Sequence, residues 1–63
     1  MGNVVLEKLN HYKSFRYDTK TKSIVNLKSS EEIDIDEFLE IQHLLDVHRV
    51  SYRFEPKFII RIL

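Results

Sequence analysis

His11, His43 and His48 are the only side chains able to offer a metal an imidazole nitrogen, and no cysteine is present to offer a thiolate. His43 and His48 are five positions apart, which on one helix turns them about 140° away from each other, whereas chelating pairs sit four apart on one face. They read as ordinary structural or surface histidines, with His48 a modest pH-sensitive group at a helix end. The lack of cysteine also removes disulfides and thiol nucleophiles. The serines lie in no nucleophile elbow, and a chain whose one glycine is Gly2 cannot build a glycine-rich phosphate loop. No enzyme is expected, and no metal, cofactor or small-molecule substrate.

The cations and aromatic rings are patterned more suggestively. Arg49, Arg53, Lys57 and Arg61 recur every fourth residue, so on one continuous strand they share a side, unless Pro56 breaks the phase. With Lys13, Arg16, Tyr12, Tyr17, Tyr52 and Phe54, such a stripe could hold single-stranded RNA or DNA, phosphates against cations and bases stacked on rings. No glycine-bearing aromatic box or glycine clamp loop accompanies it. The same alternation is what the wet face of an edge strand carries against aggregation. An acidic stripe, Asp36, Glu37 and Glu40, resembles a phosphate mimic only locally, because the whole chain has zero net charge.

These residues need elements to position them. Val4, Val5, Leu6 and Leu9 form a short apolar patch, read as a strand. Tyr12 to Tyr17 alternates, Asp18 to Lys22 is turn-prone because the Asp18 carboxylate can accept from the backbone just ahead, and Ser23 to Leu27 returns as a second strand, which makes a hairpin. Asp34 and Glu37 form a capping-box variant: Asp34 accepts from the amide of Glu37 and Glu37 reaches back to the amide of Asp34, with Ile33 and Phe38 as a hydrophobic staple. A helix is therefore expected from Asp34, burying a stripe of Ile35, Phe38, Leu39, Ile41, Leu44 and Leu45 that could extend to His48. Val50 to Leu63 alternates with unusual regularity, every even position from Val50 to Ile62 being apolar or Pro56. As one strand it would run about 46 Å, too long for so small a domain, and Pro56 has no amide hydrogen for a ladder. A bent or bulged strand is expected there rather than a tight hairpin, since the type I turn envisaged at Pro56-Lys57 would splay the strands and no glycine is at hand to supply a positive φ.

The expected fold is thus a single α+β domain over residues 1–63, a mostly antiparallel sheet of three or four strands with one helix across one face. Sixty-three residues limit the core, because domains of about 60 residues bury only about 60% of their unfolded surface. Small chains without disulfide or metal use a tightly packed core or self-association. The composition suits both, with four Phe, three Tyr and no Ala. No apolar run reaches the roughly 18 residues of a membrane span and no leader pattern opens the chain, so a cytoplasmic protein is expected.

Zero net charge conceals sorting. Residues 1–28 hold six basic and two acidic side chains (+4), residues 29–48 seven acidic and no Lys or Arg (−7), and residues 49–63 four basic and one acidic (+3). Basic strands thus flank an acidic helix. With no chemistry in sight, the leading expectation is a small interaction protein, a regulator or inhibitor that binds another protein through its sheet edge or aromatic and basic face, and a homodimer. Tyr52, Arg53, Phe54, Phe58, Arg61 and Arg16 are the expected partner-binding residues, because aromatics and Arg dominate interface energies. Binding of single-stranded RNA or DNA is the second expectation.

Overall fold

The computed structural model describes residues 2–63. Helix α1 (Asn3–Leu9) leads to strands β1 (Phe15–Asp18) and β2 (Ser23–Asn26). A 3-10 turn (Ser30–Glu32) then precedes helix α2 (Ile35–Val47) and strands β3 (Tyr52–Glu55) and β4 (Ile59–Ile62). The strands form one sheet in the order β1-β2-β4-β3, antiparallel at every pairing. The α+β class and the antiparallel sheet agree with the sequence pattern.

Three details of the element layout differ from it. The Val4–Leu9 patch is helical: as a strand it would set Glu7 on the same face as Val5 and Leu9, whereas the coiled backbone buries Val5 and Leu9 together and turns Glu7 to solvent. Two helices therefore cover the sheet instead of one. The third difference lies after α2, where the expected bent strand is a hairpin closed by Pro56, Lys57 and Phe58. Glycine is dispensed with there: Lys57 and Phe58 themselves adopt positive φ, 67° and 59°. Pro56 presets the first turn position, and the left-handed residues after it supply the twist that the type I turn lacks.

Asp34 caps α2 as its position suggests, its Oδ1 accepting from the Glu37 amide at 3.1 Å. Glu37 does not reach back to Asp34. Its Oε1 accepts instead from the amides of Lys13 at 2.8 Å and Ser14 at 3.4 Å, which ties the start of α2 to the segment leading into β1. The far end of α2 closes in a Schellman arrangement. The Val50 amide donates to Leu45 O at 2.9 Å and that of Arg49 to Asp46 O at 3.1 Å, with Arg49 at φ 57° where glycine is usual.

Antiparallel partners share a face, so the registers sort the sheet. Tyr17 opposite Ile24, Ile24 opposite Ile60, Ile60 opposite Phe54 and Ile62 opposite Tyr52 define one side. Both helices lie there. Phe15, Ile24 and Ile60 meet Val5 and Leu9 of α1 and Ile41, Leu44 and Leu45 of α2 in one buried core. Each such side chain contributes about 1.5–3 kcal/mol by leaving water. The helix stripe is narrower than its apolar pattern suggests. Ile35 and Leu39 stay exposed, since the small sheet fills only the face centred on Ile41 and Leu45.

Candidate interaction surface

The hairpin β3–β4 carries most of the residues singled out in the sequence, and its geometry separates them. Arg53 stands opposite Arg61, Arg61 also stands opposite Ser23, and Arg16 stands opposite Val25. All three arginines therefore occupy the sheet face turned away from the helices. Tyr52 and Phe54 belong to the helix side, and Phe58 sits in the turn with its ring against Phe38. A single face combining these arginines with these rings is not formed. Arg49 and Lys57 leave the stripe as well, one to the end of α2 and the other to the hairpin turn.

Two arginines directly opposite would repel, and Glu55 resolves this. Its Oε2 accepts from Arg61 Nε at 2.6 Å and from Arg53 Nη2 at 3.1 Å. The hydrogen bond from Arg61, followed by that from Arg53, holds the Glu55 carboxyl below its usual range. Arg61 in turn is pushed up by the same bond. Arg61 Nη1 also donates to Thr21 O at 3.1 Å, so its guanidinium is held between Glu55 and Thr21. Sequence reasoning passed over Glu55, although two-residue spacing from Arg53 within a strand places both on one side. The outer face is thus a short ionic lattice more than a free cationic stripe.

On the other side an aromatic series runs from the core to the surface. Phe15 is buried, Phe38 lies 5.8 Å from it between ring centroids, and Phe38 in turn holds Phe54 and Phe58 at 5.6 Å each. Tyr52 meets Phe54 edge-on at 5.5 Å. Phe54 ends the series 52% exposed. Half in water, this apolar ring is nonetheless held in place by two aromatic neighbours, Phe38 and Tyr52.

Phe54 also lies on an edge strand. The Leu63 amide donates to Ser51 O at 3.0 Å, which makes 51 and 63 a hydrogen-bonded pair of the β3–β4 ladder. Such pairs alternate in antiparallel sheets, so Arg53 and Glu55 turn their backbone groups toward β4. Tyr52 and Phe54 turn theirs outward, where the sheet order places no neighbouring strand. The Tyr52 hydroxyl fixes the strand from the other direction, donating to Asp46 Oδ1 of α2 at 2.7 Å.

A concavity lies between α1 and α2. This open groove of about 780 Å³ is lined by Lys8, Tyr12, Leu39, Glu40, His43 and Val47 among others. Burial, then the charges of Glu40 and Glu37, pushes the Tyr12 hydroxyl up from its ordinary value. His43 lies on α2, His48 at its C-cap and His11 in the loop after α1. Among the described residues no group of three or more His, Asp or Glu side chains is gathered as a metal site requires. Among the same residues no helix is long and apolar enough to cross a membrane.

Comparison with protein-family models, with curated proteins and with solved structures found no match.

Proposed function

We propose that this chain is a small, non-enzymatic interaction protein of the cytoplasm, a regulator or inhibitor that receives a segment of another polypeptide as an added strand along β3. The observation that carries this reading is the coincidence at Phe54 of outward-facing backbone groups and a half-exposed ring packed on Phe38. Backbone pairing would supply affinity, and the ring would supply a fixed anchor for an apolar side chain of the partner. Arg53 and Glu55, on the opposite face of the same strand, would set orientation by their opposite charges.

The test compares capture of partners from the native host by the tagged wild type and by Phe54→Lys, with circular dichroism to establish that the variant is folded. A partner held by the wild type and lost with Phe54→Lys supports the proposal. Equal capture by both sinks it.

A further inference from the structure

We propose that β3 pairs, antiparallel and about a two-fold axis, with β3 of a second copy, Phe54 opposite Phe54, joining two four-stranded sheets into one of eight strands. This rests on the reading of β3 as the binding edge and names what covers that edge when no target is bound.

The register follows from three constraints. Only Tyr52 and Phe54 present outward backbone groups, so a two-fold pairing must set Tyr52 opposite Tyr52, Tyr52 opposite Phe54, or Phe54 opposite Phe54. The first places Arg53 opposite Ser51 and leaves both Glu55 side chains beyond the paired strands. The second places Arg53 directly opposite Arg53, which repels. The third places Arg53 opposite Glu55 of the other copy, twice. Glu55 is prepared for it, because both arginines in its own chain bond to Oε2 and leave Oε1 free to accept, and the Arg53 side chain is 62% exposed. On the other face of the strand the two Phe54 rings would meet, extending the series that starts at Phe15. Pro56, which has no amide hydrogen, would then stand opposite Tyr52 and end the ladder, so pairing is confined to a few residues.

The other edge has a similar triplet, Arg16-Tyr17-Asp18, yet is less available. Asp18 Oδ1 already accepts from the Lys20 amide at 2.9 Å, Phe15 is buried, and the amides just before β1 are held by Glu37. Self-pairing through β3 also closes the edge a target would use, so dimer formation and target capture compete.

Sedimentation from about 1 μM to about 1 mM tests this with folded variants. The wild type is expected to form a dimer. Arg53→Glu should weaken it about tenfold or more by facing Glu55 with a second carboxylate, and Arg53→Glu combined with Glu55→Arg should restore it. The exchange rebuilds both opposite-charge pairs between the copies and sets a carboxylate at position 53 against Arg61 within each chain. A monomer at all concentrations, a dimer indifferent to Arg53→Glu but broken by Arg16→Glu, or open-ended growth would overturn the proposal. A monomeric wild type that still loses a captured partner on Phe54→Lys overturns self-pairing alone. If dimer and capture both survive Phe54→Lys, the edge itself is the wrong site.

Discussion

Glu55 and Arg61 face each other across 2.6 Å, carboxylate oxygen to guanidinium Nε, and this contact decides how basic the outer sheet face is. Arg53 shares the same oxygen. Phosphates approaching these arginines would compete with a carboxylate already in place. The wild type is therefore expected to bind short single-stranded oligonucleotides weakly, and Glu55→Gln to bind them more tightly with a steeper salt dependence. Titrations between about 50 and about 200 mM salt read this directly, each phosphate contact adding roughly −0.7 to the log–log slope for single strands. A steep slope in the wild type, unchanged by Glu55→Gln, would make nucleic-acid binding the leading function in place of strand addition.

The carboxylate of Glu37 bridges segments distant in sequence, accepting from the amides of Lys13 and Ser14. Those amides precede β1 and gain a charged acceptor from the first turn of α2. Replacement by Ala should cost about 1–2 kcal/mol, since hydrogen bonds to charged groups rank among the stronger ones and only part of the site is shielded from water. Glu37→Gln keeps an acceptor and should recover part of the loss. Hydrogen exchange at Lys13 and Ser14 locates the effect: acceleration confined to other amides would show that Glu37 acts only through α2.

Arg49, Lys57 and Phe58 hold positive φ without being glycine. A left-handed residue with a Cβ costs about 1–2 kcal/mol, against which glycine loses about 0.5–1 kcal/mol of extra chain entropy. Arg49→Gly and Lys57→Gly should each stabilise by up to about 1 kcal/mol in urea unfolding. Phe58→Gly should not, because its ring packs edge-on against Phe38 at 5.6 Å and that burial is lost. Stabilisation by Phe58→Gly would mean that the ring contributes little.

These positions also mark the limit of what was legible in the sequence. Helix α2, its Asp34 cap and the β1–β2 hairpin follow from local chemistry, since period, cap and turn residues all lie within a few positions of one another. Helix α1 was not legible, because four apolar residues in six fit either period and only the position of the core chooses. The hairpin at Pro56 was hidden because the even positions stay apolar straight through the turn, and by the expectation that positive φ needs glycine. Among the candidate residues, the period-two pattern already separates Arg53 and Arg61 from Tyr52 and Phe54. What sequence could not show is long-range pairing: Glu55 reaching across to Arg61, and Phe38 of α2 set beneath Phe54.

Tyr52 gives the last of these links a pH signature. Its hydroxyl donates to Asp46 at 2.7 Å, joining the end of α2 to β3 beside the proposed edge. Burial, then the hydrogen bond and charge of Asp46, raises the phenol above its ordinary value near 10.0. A raised folded pKa means stability fully present below the unfolded value and lost as pH climbs through the folded one. The wild type should therefore lose stability on going from about pH 9 to about pH 11 more steeply than Tyr52→Phe, in which no phenol titrates at this position. At neutral pH the same variant should be weaker by about 0.5–1 kcal/mol, a modest amount because the bond is exposed to water. Parallel stability curves for the two proteins through that alkaline range would show that the Tyr52 to Asp46 bond does not hold β3 to α2, and would leave that link to the Phe38 to Phe54 contact.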